Sequence, residues 1–277
     1  MEQAQGPIVF LTPGSPESLA ALPGLADFAS ALGRSLTVMH LLGASDRPSD
    51  SRVAGAIANL SSSNPQPDTF SVPADDIHTA LATIAEATGG VLALMPKRPR
   101  SIERFVVGNE FERLLRYGPL PVLALPAGGR LAPPSRVLFP ADLSPRSAAA
   151  FAEAVAICQA VDAELRLLHV FGDDRLLPSE LDQTRRSSAK SPHELLSIDQ
   201  KQLGALVDQA AAQGVRASWH TAEGRAHDQI LGYVAASAID LIVMPSHGPR
   251  SIEDILRGST TVRVVQKSPV AVLAMRA

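Results

Sequence analysis

The feature that most constrains this 277-residue chain is that it repeats itself. The segment IVFLTPGSPESLAALPGLADFASALGRSLTVMHLL, from Ile8, aligns without a gap on VLFPADLSPRSAAAFAEAVAICQAVDAELRLLHVF, from Val137. Each opens on a short apolar run and passes through a Ser-Pro-x-Ser turn (Ser15, Pro16, Ser18; Ser144, Pro145, Ser147). An Ala-rich stretch follows in both, then an apolar run reaching His40 or His169. Farther on, PRSIE occurs at Pro99–Glu103 and at Pro249–Glu253, with Gly108 and Gly258 five residues beyond. Both segments close on an apolar run, PLPVLALP from Pro119 and PVAVLAM from Pro269. One such match could be chance. Several in the same order are a duplication, and a fold for the chain must be a fold for the unit.

The alignment offset grows by about twenty residues between the early and the late matches, which locates an insertion in the second copy. It falls in GDDRLLPSELDQTRRSSAKSPHELLSIDQ, a polar, breaker-rich stretch that reads as a surface loop leading into a helix. The Gly- and Pro-rich AGGRLAPP reads as a linker. The expected organisation is a first domain over 1–126, a linker over 127–134 and a second domain over 135–277. At this length each domain is large enough to bury a core of its own.

Within the second copy RVLFP, ELRLLHV, VRASWHT, DLIVMP and VAVLAM read as strands, too continuously apolar to have one face in water. Helices are expected near Pro145–Val161, His193–Ala212, His227–Ser237 and Ile252–Lys267, with Ser144 as N-cap and Pro145 in the first turn of the first of them. Alternating β and α predicts right-handed crossovers and a doubly wound, mostly parallel sheet. The fold class is therefore α/β, with two tandem Rossmann-like domains. Ligands of such sheets bind beyond the carboxyl ends of the strands, at the switch point, so chemistry is expected after strands one and four.

Composition narrows the function. With 45% hydrophobic and 19% charged residues the chain is an ordinary globular one. A net charge of −3 offers no general attraction for nucleic acid or anionic lipid, and neither is expected as a partner. The lone cysteine, Cys158, has no intrachain partner for a disulfide. The opening MEQAQGPIVF lacks the basic and apolar regions of a signal peptide, and no apolar run reaches membrane-spanning length, so a cytoplasmic location is expected.

After strand one of the second copy stands Asp142, which suits either a ligand hydroxyl or amino group or the cap of the helix near Ser144. The first copy has Pro13 there, with no side-chain acceptor. After strand four, Met244–Val265 contains Gly248, which allows close backbone approach, and Gly258-Ser259-Thr260, which offers amides and hydroxyls to an anion. KRPRSIER at Lys97–Arg104 carries four basic residues and reads either as a solvated loop or as a site for an anionic ligand or acidic partner. His40 and His169, repeated at equivalent strand ends, read as structural, and metal ligation is not expected there.

This strand-four loop resembles that of the universal stress protein family, whose nucleotide-binding members carry G-x-x-G, nine residues, then G followed by Ser or Thr. Gly248, nine intervening residues and Gly258-Ser259 match the latter part, and DLIVM, SPVAVLAM and the DLSPRS turn look like the same family across both copies. The resemblance implies adenine nucleotide alpha hydrolase-like domains related by a pseudo-twofold axis. It also implies a nucleotide site in the second copy: Asp142 at the adenine, Val170 as an apolar wall, Gly248, Gly258 and Ser259 at the phosphates with Thr260 beside them, and Pro140, Met244 and Pro245 lining the strand ends. The ligand would be ATP or a related adenine nucleotide, with Mg only as its companion. Last-strand pairing in the family implies that Val122–Leu125 and Val270–Ala274 meet as an intramolecular pseudo-dimer, and a homodimer of chains is compatible with the same pattern.

Two departures weaken the pattern. Pro245 replaces the family's first glycine, removing a backbone donor and fixing φ. The first copy has Pro13 for the aspartate, Arg98 opposite Gly248, and Asn109 after Gly108, so its site reads as degenerate. The leading expectation is a stress-response regulatory protein, not an enzyme, that binds nucleotide in its second domain. The alternative is a protein interaction module with both sites degenerate. An enzyme on this architecture would need a motif such as GxxxxGK[ST], GxSxG or a clustered metal site, and the sequence has none of them.

Overall fold

A computed structural model describes residues 6–42, 51–60, 66–73, 76–95, 114–115, 118–126, 128, 131–171, 192–246 and 260–276. The first copy runs β1 (Ile8–Thr12), α1 (Pro16–Leu19), α2 (Leu22–Ala31), β2 (Leu36–Leu42), α3 (Ser51–Ala58), β3 (Asp68–Pro73), α4 (Ile77–Thr88), β4 (Val91–Leu94) and β5 (Val122–Ala124). The second runs β6 (Arg136–Pro140), a 3-10 turn at Pro145–Ser147, α5 (Ala148–Val161), β7 (Glu164–Phe171), α6 (Pro192–Ala211), β8 (Ala217–Glu223), α7 (Ala226–Ser237), β9 (Leu241–Ser246), α8 (Thr260–Lys267) and β10 (Ala271–Arg276). The expected α/β class and the placement of the second copy's strands and first three helices hold. Of the helix expected near Ile252–Lys267, the part over α8 is described.

All the strands join one ten-stranded sheet in the order β3-β2-β1-β4-β5-β10-β9-β6-β7-β8. Read from either edge the order is the same, third strand, second, first, fourth, fifth of each copy. Every pairing is parallel except the central one, where Val122 stands opposite Ala274, Leu123 opposite Leu273 and Ala124 opposite Val272. The last strands therefore meet antiparallel, as twofold symmetry demands.

The sheet also decides how the core is divided. Alternate residues of a strand face opposite sides, so Ile8 and Phe10 belong to one cluster with Val137, Phe139 and Leu273. Val9 and Leu11 belong to the other with Leu138, Ile242 and Val272. Each cluster lies on one face and contains residues of both copies, so the cores follow the faces of the sheet and not the two halves of the sequence. On one face Phe139 of β6 meets Phe151 of α5 edge to face, with ring centroids 5.5 Å apart. That contact fixes the helix that follows the strand-one turn. Burial there pushes the Cys158 thiol of α5 up to about 12.

Candidate functional site

In the second copy the strand order reverses between β6 and β9, and these strands pair only at Val137 with Leu241 and Leu138 with Ile242. Beyond these pairs, their carboxyl ends flank the switch point. Pro140 ends β6 and Met244, Pro245 and Ser246 end β9, all four of them buried. Val170 is half-buried near the end of β7, opposite Ala222 of β8. Thr260 begins α8. The structure thus brings Pro140, Asp142, Val170, Met244, Pro245 and Thr260 to one end of one half-sheet. Gly248, Gly258 and Ser259 lie outside the described residues, as do Lys97–Arg104, Arg98, Gly108 and Asn109 of the first copy.

The turn after β6 shows what Asp142 does locally. Ser144 N–H donates to Asp142 Oδ1 and Ser144 Oγ donates to Asp142 Oδ2, both at 3.0 Å. The carboxylate therefore closes an Asx turn on the surface. Ser144 holds the N-cap position with extended backbone but makes no side-chain cap bond, contrary to expectation, because its hydroxyl is drawn back to Asp142. Ser147 Oγ donates instead to Ser144 C=O at 2.7 Å. In the first copy the same serine does cap: Ser18 N–H donates to Ser15 Oγ at 3.3 Å, since Pro13 offers no competing acceptor. Thr12 takes up the slack there, accepting from Gly14 N–H at 3.0 Å and lying 2.6 Å from Ser18 Oγ.

Between them sits a residue in the left-handed region in both copies, Gly14 at φ 72° and Leu143 at φ 57°. For Leu143 this conformation costs about 1–2 kcal/mol, and the turn holds it there regardless. The difference between the copies reaches the repeated histidine beneath. His169 is buried, with Nδ1 2.8 Å from Ala141 O and Nε2 3.3 Å from Asp199 Oδ2 of α6. His40, equally buried, has no partner for Nε2 among the described residues. A Cβ on Gly14 would stand 2.8 Å from that nitrogen, so glycine lets the first turn settle onto the imidazole. In the second copy the histidine is braced from two elements and props the Ala141 carbonyl next to Asp142.

The strand-four stem is also held. Thr261 Oγ1 donates to Pro245 C=O at 3.1 Å, joining the start of α8 to the end of β9. Ser246 Oγ donates to Leu115 C=O at 3.2 Å, a bond that crosses from the second copy to the first. Neither Ser246 nor Asp199 stood out in the sequence, because their partners are brought close only by the fold. Among the described residues no group of three His, Cys, Asp or Glu side chains could hold a metal ion. None of the described helices is long and apolar enough to cross a membrane.

Comparison with known proteins fits this geometry. Among solved structures, the whole chain is similar to a universal stress protein from Archaeoglobus fulgidus, at 19% identity and a TM-score of 0.64, over 98% of this chain and 97% of that one. It is similar as well to a functionally unknown protein from Pseudomonas aeruginosa, at 16% identity and a TM-score of 0.69, over 99% and 93%. At such identities the likeness is one of fold. No curated protein sequence matches the chain. Residues 134–276, more than half the chain, match the model of the universal stress protein family, and the chain belongs to that family.

Proposed function

We propose that the protein is a regulatory, stress-response protein of the cytoplasm that binds ATP or a related adenine nucleotide at the switch point of its second copy. The observation that carries this reading is the asymmetry of the strand-one turns. In the second copy a carboxylate-bearing turn, braced by His169 and Asp199, stands at the end of β6 across from Met244 and Pro245. In the first copy the equivalent turn has Pro13 and rests on His40 through Gly14. The site is read as binding and not catalytic, with Mg only as the companion of a triphosphate.

A second reading, a protein interaction module without ligand, is favoured by Pro245. This residue stands inside β9, in register with Met275 of β10, where the family pattern has glycine. Titration of the full chain with ATP, alongside Pro245→Gly, separates the two. The nucleotide reading expects Pro245→Gly to bind about tenfold more tightly, one regained backbone donor. It also expects the variant to be less stable without ligand by about 0.4–1 kcal/mol, because glycine loosens the unfolded chain. If neither protein binds an adenine nucleotide at millimolar concentration, the interaction module is the better account.

A further inference from the structure

The end of β9 is tied into the first copy by a closed ring of bonds. Ser246 Oγ donates to Leu115 C=O at 3.2 Å. One residue back along the first copy, Leu114 C=O accepts from Gly118 N–H at 2.8 Å. Gly118 C=O in turn accepts from Arg276 Nη1 at 2.8 Å, and Arg276 is the β10 residue in register with Ser246. The circuit therefore leaves the second copy at Ser246 and returns to it at Arg276. At Gly118 an added Cβ would collide with the Leu114 carbonyl oxygen, so glycine is what this close approach requires. The Ser246 side of the circuit is dry, since Leu114, Leu115 and Ser246 are all buried while Arg276 is exposed, and in that buried setting a hydroxyl left without its acceptor is costly. Next to Ser246 the Pro245 carbonyl is fastened to Thr261, so the strand end that would meet a ligand is pinned from both copies.

We infer that Ser246 is a positioning residue: through Leu115 it fixes the β9 end of the nucleotide site against the first copy, so that nucleotide bound in the second copy is registered at Leu114–Gly118. The inference rests on the nucleotide reading above. Its physical content is a shared set of bonds, at Leu114, Leu115 and Gly118, whose arrangement both copies influence. It gives the first copy, whose own site has lost the aspartate, a role as a built-in partner subunit.

The test uses the full chain with ATP and Mg, measuring affinity and amide hydrogen exchange across Leu114–Gly118. Three proteins are compared: wild type, Ser246→Ala, and Ser268→Ala. Ser268 is an equally buried control whose hydroxyl donates to Val270 C=O at 2.7 Å, at the opposite end of β10. The expected result is that ATP slows exchange at Leu114–Gly118 in wild type and in Ser268→Ala. In Ser246→Ala that slowing is lost and ATP binds about tenfold more weakly. A merely structural hydroxyl would lower stability in both variants alike and leave the response to ATP intact, which overturns the proposal. Wild type that fails to bind ATP at millimolar concentration overturns it as well, through the nucleotide reading. Failure of the bracket itself is recognised separately, by nucleotide-free exchange at Leu114–Gly118 that is no faster in Ser246→Ala than in wild type.

Discussion

Arg34 Nη2 lies 2.7 Å from Glu153 Oε1, a charge-assisted bond between the turn after α2 in the first copy and α5 in the second. The two side chains are only 6% and 16% exposed. The bond is thus a largely desolvated tie between the two copies, made by side chains and separate from the hydrogen bonds of the central strand pair. Removing Arg34 leaves the Glu153 carboxylate without this guanidinium where water reaches it poorly. Arg34→Ala is expected to lower unfolding free energy by about 3 kcal/mol, and Glu153→Ala also to lower it. The double apolar variant Arg34→Met/Glu153→Leu should cost less than the two single changes combined. Urea denaturation checks both. Since both cores span the copies, unfolding should also remain a single transition by every probe.

Alkaline pH should destabilise the protein through Cys158. Its thiol is raised from 9.0 to about 12 by burial. Below pH 9 the folded and unfolded chains both keep the proton, and the group makes no difference. Between 9 and 12 the unfolded chain has lost it while the folded chain retains it, so the unfolded state binds fewer protons and stability falls as pH rises. The slope from this one group is about 1.4 kcal/mol per pH unit. Cys158→Ala should flatten that part of the stability–pH curve, and an unchanged slope would place the titration elsewhere. In the native state at neutral pH the thiol should react with alkylating reagents only as fast as the protein opens.

In the segment joining the copies, Leu131 is packed against α2. A Cβ built on Gly24 of α2 would fall 2.1 Å from the carbonyl oxygen of Leu131, and Leu131 is itself buried in the core. Gly24→Ala must push backbone away from backbone, at a cost of about 1–3 kcal/mol. Faster proteolysis near Leu131, beside the lower stability, is the expected signature. A neutral Gly24→Ala would mean that the joining segment does not need α2.

Much of the fold was legible because duplication imposes it. Once Ile8–Leu42 and Val137–Phe171 are aligned, the strands and the Ala-rich helices follow from one unit applied twice, and the meeting of β5 with β10 follows from the family resemblance. The division of the core was not legible, since residues such as Phe10 and Phe139 sit in separate copies and share a cluster only because the sheet is continuous. The strand-end positions of Pro140, Asp142, Met244 and Pro245 were legible from the strand pattern. The site was illegible where a side chain's work depends on a distant partner. Ser144 reads as a cap and is taken by Asp142, while Ser15, in the same local sequence, does cap. The partnerships of Ser246 with Leu115 and of His169 with Asp199 span too much sequence for any local pattern to reveal them.

The most direct test of the account is calorimetric titration of the full chain with ATP, read for stoichiometry, in wild type and Asp142→Ala. The account predicts one site per chain in wild type. In Asp142→Ala the affinity should fall by an amount worth about 1–3 kcal/mol, the loss of one or two hydrogen bonds to the ligand together with the Asx turn that presents them. Two equivalent sites per chain, or unchanged affinity in Asp142→Ala, would contradict it.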